Sequence, residues 1–175
     1  MLQRFAVAAA VLAVAAADVT AQPPPAVVVT MEGGGEFTLE LWPPDAPNHV
    51  RNFLALVRQG FYDGQRVHRV EPGFVVQFGD PQTRTLPLTD PRIGTGGPGY
   101  TIKAEFNRRP FERGVLGMAR AQDPDSAGSQ VYIMLGSAPH LNGKYTAFGR
   151  VTRGMEVVDR IKVGDRILRA RVVEP

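Results

Sequence analysis

The 175-residue sequence contains no cysteine and a single tryptophan. The absence of cysteine excludes a disulfide framework, a thiolate metal site, a cysteine nucleophile and a lipid-modified cysteine at a processed N-terminus. The three histidines, His49, His68 and His140, share no ligand-like spacing, so we expect neither a metal site nor another cofactor. The formal net charge is only +3, which argues against a dedicated nucleic-acid-binding protein.

Strongly apolar sequence is concentrated at the N-terminus. Residues 1–21 combine a short basic start, an apolar run of about 13 residues and a small-residue site ending at Ala21, which is typical of a cleavable signal peptide. A membrane anchor is the alternative, but the run is shorter than the ~20 residues that span a bilayer. We therefore expect export to the periplasm, with secretion as the alternative, and a processed protein that starts at Gln22 with a proline-rich linker at residues 22–26.

Residues 27–175 have no internal repeat and no second change in composition, which predicts a single domain. Apolar residues at i, i+3, i+4 and i+7 from Val50 indicate an amphipathic helix over residues 47–59. Many short strands with only two helices predict a mostly β fold, a closed eight-stranded antiparallel β-barrel capped by two α-helices. Nine candidate strands, for a barrel of about eight, lie at residues 27–30, 36–41, 66–70, 74–78, 100–105, 115–119, 131–135, 147–151 and 167–173, and the second helix is predicted near residues 155–161.

The strand at residues 74–78 combines two different faces. Side-chain alternation places Val76 and Phe78 on one side and Val75 and Gln77 on the other. The same rule in residues 130–135 puts Gln130, Tyr132 and Met134 outward. Because a barrel of this size fills its own interior, a ligand would bind on an outer face or at the rim. From the pattern alone, the simpler interpretation is a solvated Arg69 and residues that merely cover the barrel exterior.

Four ordered segments resemble a known family. Residues 67–80, VHRVEPGFVVQFGD, resemble the F-H-R-x-x-x-G-F-x-x-Q-x-G-D signature of cyclophilin-type peptidyl-prolyl cis-trans isomerases. Residues 114–121, 126–133 and 140–151 resemble later blocks of that family in the same order. The similarity extends from about residue 28 to residue 173, and it implies the same eight-stranded barrel with two capping helices.

The resemblance also implies a function and a site. It implies an isomerase that accelerates rotation of X-Pro bonds in unfolded or flexible proteins, assists the folding of exported chains and needs no cofactor. We expect it to act as a monomer. Carried over by position, the resemblance makes Arg69 the catalytic arginine and Gln77 its polar partner. The substrate-binding residues that it implies are Phe74, Val75, Ala119, Arg120, Ala121, Gln130, Tyr132, His140, Leu141 and Tyr145.

Several positions depart from the commonest family pattern. His140 stands where tryptophan is usual, which implies weak binding of cyclosporin at most. Residues 82–93 resemble an insertion, and their prolines and polar residues predict a surface loop near the barrel rim. The other departures are Val75 for methionine, Arg120 for asparagine, Tyr132 for phenylalanine and Tyr145 for histidine.

Two other functions stay open at the level of sequence. The same face could hold proline-containing segments without turnover, as a chaperone or scaffold does. An unrelated all-β binding module is the second alternative, and Arg69, Gln77 and Gln130 would then lie on different faces of the fold.

Overall fold

The computed structural model describes residues 23–173. The predicted signal peptide and its cleavage site lie outside the described residues, as does Gln22. Pro23 to Pro25 precede the first strand, and the Pro25 carbonyl accepts a hydrogen bond from the Leu41 N–H at 2.9 Å. Neither α-helix within residues 23–173 is long and apolar enough to cross a membrane.

The fold is mostly β, as the sequence predicts. Every strand pairs with its neighbours in antiparallel fashion. The elements are β1 (Ala26–Met31), β2 (Glu36–Leu41), α1 (Pro47–Arg58), β3 (Arg69–Glu71), β4 (Val75–Phe78), β5 (Val115–Met118), β6 (Val131–Met134), β7 (Ala147–Arg153), α2 (Met155–Val158) and β8 (Ile167–Val173).

The predicted closure of the sheet into a barrel is wrong. The strand order is β3-β4-β6-β5-β7-β2-β1-β8, which leaves β3 and β8 as the two edges of an open half-barrel. β3 has three residues, so it cannot pair along the seven residues of β8. Over the described part of the chain, one isolated bridge between Arg66 and Arg166 and a few adjoining backbone hydrogen bonds connect the two edges.

The predicted strand at residues 100–105 is also wrong. The segment forms one isolated bridge, between Ile102 and Ala127, and is otherwise irregular. Two of its backbone N–H groups donate to side chains and not to a neighbouring strand. The Ala104 N–H donates to the Asp125 carboxylate and the Glu105 N–H donates to the Thr146 hydroxyl, both at 2.9 Å. Long-range side-chain acceptors therefore replace strand pairing here.

Helix α1 covers the concave side of the sheet and receives its cap from a distant residue. Ala46 precedes the helix and offers no capping side chain. The Glu105 carboxylate instead accepts the backbone N–H groups of Asn48 and His49 at 3.0 and 2.9 Å. The irregular segment is thereby fixed against the positive end of the helix dipole.

The buried apolar residues form two clusters on opposite faces of β4, β5 and β6. The inner cluster includes Val76, Phe78 and Ile133 and is covered by α1. Tyr132 and Met134 point away from it, as alternation predicts, but they are 5% and 0% exposed because loops cover them. The outer cluster consists of Trp42, Val75, Phe111, Val115, Tyr132, Met134, Ala138, Leu141 and Ala147.

Candidate functional site

A cleft of about 490 Å³ opens over the outer cluster. Strands β3, β4 and β6 and the two residues that follow β5 line it, and the loop that contains a short 3-10 helix, Pro139–Leu141, supplies one wall. Ten of the twelve residues that the sequence predicts for the site line this cleft. They are Arg69, Phe74, Val75, Gln77, Ala119, Arg120, Tyr132, His140, Leu141 and Tyr145.

A second cleft of about 510 Å³ adjoins the first. The two clefts share Gln77, Ala119 and Arg120 in their walls. The remaining two predicted residues, Ala121 and Gln130, line this second cleft, whose opposite wall is the glycine-rich loop of residues 94–99. The predicted site is therefore one continuous groove with two adjoining clefts.

Arg69 lies at the mouth of the first cleft. Its position on β3 is directly opposite Gln77 on β4, and its Nη1 donates to Gln77 Oε1 at 3.0 Å. Its Nε and Nη2 both donate to Glu71 Oε1, at 2.8 and 2.5 Å. The guanidinium carbon lies 5.7 Å from the centroid of the Phe74 ring. A fixed cation thus borders an apolar wall, and its side chain is still 44% exposed.

A chain of hydrogen bonds connects Arg69 to the glycine-rich loop. Gln77 Nε2 donates to Gln130 Oε1 at 3.0 Å, and Gln130 Nε2 donates to the carbonyls of Gly94 and Gly96, both at 2.9 Å. Arg69, Gln77 and Gln130 therefore belong to one network, which excludes the arrangement expected for an unrelated binding module.

Asp80 fixes the base of this loop, and the sequence predictions did not include it. Its side chain is fully buried and accepts the N–H groups of Gln82, Gly94 and Gly96. A Cβ at Gly96 would lie 2.1 Å from Asp80 Oδ1, so the close approach requires glycine. The segment of residues 82–93 therefore begins and ends beside this carboxylate, and the glycine-rich loop that follows it lines the second cleft. In the sequence, the position of Asp80 at the end of the G-D motif was the signal that could have indicated this role.

Aromatic and aliphatic side chains form the wall of the first cleft. The Phe74 and His140 rings stack with centroids 5.9 Å apart, and Tyr132 contacts Tyr145 edge-on at 6.2 Å. Leu141 is 8% exposed and belongs to the outer cluster. Such a surface suits a compact apolar group rather than a charged one.

Tyr132 fits beneath the cleft because its neighbour on β5 is glycine. A Cβ at Gly117 would lie 2.4 Å from Tyr132 Cζ. The Tyr132 hydroxyl is buried with no hydrogen-bond partner in the described structure. Burial raises the pKa of Tyr132, so the phenol stays protonated and uncharged.

Lys144 also lines the first cleft, and the sequence predictions did not assign it to the site. It lies in the loop between Leu141 and β7, whose path the sequence pattern does not define. Within residues 23–173, no group of three or more histidine, aspartate or glutamate side chains could hold a metal ion. The chemistry that these residues offer is an apolar pocket beside a fixed arginine donor.

Comparison with known proteins identifies the family. The family model described as cyclophilin type peptidyl-prolyl cis-trans isomerase/CLD matches residues 26–175. A probable peptidyl-prolyl cis-trans isomerase of Brucella suis is 46% identical over 144 residues, covering 81% of this chain and 74% of the relative. Peptidyl-prolyl cis-trans isomerase B of Bacillus subtilis is 45% identical over 144 residues, covering 81% of this chain and 94% of the relative.

Solved structures agree with this match. A cyclophilin-type peptidyl-prolyl cis-trans isomerase of Cryptosporidium parvum, crystallised in the presence of the dipeptide Ala-Pro, superposes with a TM-score of 0.74 at 28% identity. The superposition covers 86% of this chain and 99% of that one. The chain belongs to the cyclophilin family and is a peptidyl-prolyl cis-trans isomerase, so the predictions of family and enzyme class are confirmed.

Proposed function

We propose that the first cleft is the catalytic site for X-Pro rotation and that the enzyme acts on proline-containing segments of exported proteins. The observation that carries the site assignment is the position of the Arg69 guanidinium, beside the Phe74 ring at the mouth of an apolar cleft. Phe74, Tyr132 and Leu141 hold the proline ring. The Cryptosporidium relative was crystallised in the presence of Ala-Pro, which supports a proline-containing ligand.

The reaction requires no covalent step. Rotation about an X-Pro bond passes through a twisted state that has lost amide resonance, with an uncatalysed barrier of ~18 to 20 kcal/mol. The pocket grips the proline ring while the preceding carbonyl turns, so binding energy holds the twisted amide. No cofactor enters this scheme.

Arg69 stabilises the twisted state more than the planar one. Loss of resonance returns a lone pair to the proline nitrogen, which then accepts a hydrogen bond from the guanidinium. Gln77 holds one end of that guanidinium in place at 3.0 Å. A rate gain of about 10⁴ to 10⁵ needs ~5 to 7 kcal/mol, which one charged hydrogen bond and a shaped pocket can supply together.

The choice of exported substrates rests on residues 1–21. Their signal-peptide pattern would bring residues 22–175 to the compartment in which exported chains fold. We accordingly propose that the enzyme assists protein folding in the periplasm, with secretion from the cell as the alternative. Fractionation of cells that express the full sequence, with N-terminal sequencing of the product, tests this part; an unprocessed chain in the cytoplasm would refute it.

The site assignment is tested by Arg69→Ala in residues 22–175. We expect kcat/KM for a proline-containing peptide to fall about 100-fold, because the donor to the twisted amide is lost. Arg153→Ala is the matched control, since Arg153 is exposed at the end of β7 and lines neither cleft. Isomerisation measured by exchange NMR also separates turnover from simple binding. Equal rates in Arg69→Ala and wild type would refute the assignment, and binding without faster exchange in wild type would favour the scaffold alternative.

Cyclosporin provides a separate test of the wall of the cleft. His140 is exposed and stacks against Phe74. Its imidazole ring offers cyclosporin a smaller apolar contact area than the indole ring of a tryptophan would. We expect weak inhibition by cyclosporin and stronger inhibition of a His140→Trp variant. Equal inhibition constants for the two proteins would contradict this expectation.

A further inference from the structure

We propose that Arg120 and Lys144 give this isomerase a preference for substrates with an acidic side chain next to the proline. The inference rests on the proposed function of the cleft and adds a substrate class to it. Arg120 lines both clefts and Lys144 lines the first. Such a preference depends on how Arg120 is held, on which charges surround it and on where a bound peptide would run.

The guanidinium of Arg120 is held in one position by neutral groups. Its Nη1 donates to the carbonyls of Ala121 and Gln122 at 2.9 and 3.0 Å, and its Nη2 donates to the Lys144 carbonyl at 3.0 Å. Its guanidinium carbon lies 4.4 Å from the centroid of the Tyr145 ring. Carbonyl dipoles and an aromatic face orient the cation without neutralising its charge.

Within residues 23–173, no carboxylate lines either cleft. Arg69 is paired with Glu71 at 2.5 Å, but among the ion pairs of residues 23–173 there is none for Arg120 or Lys144. The adjacent loop carries two carboxylates: Asp123 accepts the Asp125 N–H and Asp125 accepts the Ala104 N–H, and neither forms an ion pair with Arg120 or Lys144 within residues 23–173. The groove thus carries two positive charges that no acidic group of its walls balances.

A substrate would pass close to these charges. Arg120 and Ala119 form part of the boundary between the proline cleft and the second cleft. A peptide whose proline ring occupies the first cleft and whose chain continues into the second, at about 3.3 Å per residue, carries the residues that flank the proline past this boundary. One of the Arg120 Nη2 hydrogens has no partner among the hydrogen bonds of residues 23–173, and a substrate carboxylate could accept it.

The expected preference is modest because the pair would be partly exposed. Solvent-exposed ion pairs correspond to about a two- to fivefold effect on an equilibrium or rate. Screening should reduce it, since the Debye length shortens from ~10 Å at 0.1 M salt to ~3 Å at 1 M. A contact made only through the shape of the peptide would not respond to salt in this way.

The test uses three series of proline peptides in which one flanking position carries Glu, Gln or Lys. The varied position is the first residue before proline, the second before proline or the first after it. In wild type at low salt, we expect kcat/KM for the Glu peptide to exceed that of the Gln peptide by about two- to fivefold in at least one series, and the Lys peptide to be slower still. At 1 M salt, the Glu to Gln ratio should approach one.

Charge variants identify the responsible residues. Arg120→Gln and Lys144→Gln should each lower the Glu to Gln ratio, Arg120→Glu should invert it in favour of Lys, and Arg120→Lys should keep most of it. Arg153→Gln is the matched control, with an unchanged ratio. The inference is overturned if all three series give equal rates for Glu, Gln and Lys, or if the preference persists in the Arg120→Gln, Lys144→Gln double variant. Absence of isomerisation with every peptide would instead refute the proposed function.

Discussion

The inner and outer clusters use opposite faces of the same strands for different purposes. On β4, Val76 and Phe78 join the inner cluster, while Val75 joins the outer one. The inner face is covered by helix α1, so its side chains contribute packing alone. The outer face is covered only in part by loops, and the part left open is the first cleft. Strand alternation therefore assigns stability to one face and the candidate site to the other.

The polar side chains of the two faces also differ in their role. The Tyr62 hydroxyl, beside the inner cluster, donates to the Ser129 carbonyl at 2.9 Å and has no outlet to solvent. On the outer face, Gln77 is 9% exposed and connects the half-exposed Arg69 to Gln130. The inner polar bond satisfies a buried group, whereas the outer network orients a group that can still reach a ligand.

Truncation of the inner face should produce the largest effect on stability. We expect Ile133→Ala, on β6, to lower the free energy of unfolding by ~2 to 5 kcal/mol, because it removes buried methylenes and leaves a cavity. The folded fraction should keep its KM, since Ile133 points away from the cleft. Urea denaturation and peptide kinetics at low temperature measure the two quantities. A large rise in KM with unchanged stability would show that the faces are not separate in function.

Local pattern was sufficient for the two-faced strands but not for the path of the loops. Alternation assigned Val75 and Val76 to opposite faces correctly, because it depends only on neighbouring residues. The irregular segment at residues 100–105 was mistaken for a strand, since its backbone partners, Asp125 and Thr146, lie far away in sequence. Closure of the sheet was overpredicted for a similar reason, because the length of β3 is decided by tertiary pairing.

The residues of the candidate site were predicted from family motifs. The residues that the structure adds to the prediction lie in loops. Tyr132 was expected on an outer surface and is only 5% exposed, because loop residues such as Phe111 cover it. Lys144 and Asp80 entered the site only when the loop positions were known. Residues inside the family motifs could be assigned from the sequence, whereas the position of Lys144 and the loop contacts of Asp80 required the three-dimensional structure.

Breaking the polar network should affect catalysis more than stability. Gln77→Leu removes the acceptor that holds Arg69 Nη1 and the donor to Gln130. We expect about a tenfold fall in kcat with a smaller change in KM, because the guanidinium remains near the cleft but loses its fixed orientation. The double variant with Arg69→Ala should show little further loss if Gln77 acts through Arg69. Additive losses would contradict that coupling.

A decrease in pH should destabilise the folded protein through two histidines, the fully buried His49 and the partly buried His68. His49 contacts the Phe148 ring, with the centroids 6.1 Å apart, and its Nδ1 lies 2.6 Å from Glu105 Oε2. Burial lowers the pKa of His49 from 6.5 despite the opposing effect of Glu105, so the neutral ring donates its Nδ1–H to the carboxylate. Burial likewise lowers the pKa of His68. Both histidines are therefore neutral in the folded protein near pH 7.

The unfolded chain takes up these protons near pH 6.5, before the folded protein does. Stability is thus fully present above pH 6.5 and should fall as the pH decreases toward the folded pKa values. The urea midpoint should be lower at pH 5 than at pH 7. His49→Asn keeps a donor for Glu105 but removes one proton site, so its midpoint should depend less on pH. Equal pH dependence in the variant and wild type would exclude His49 as a source of the effect.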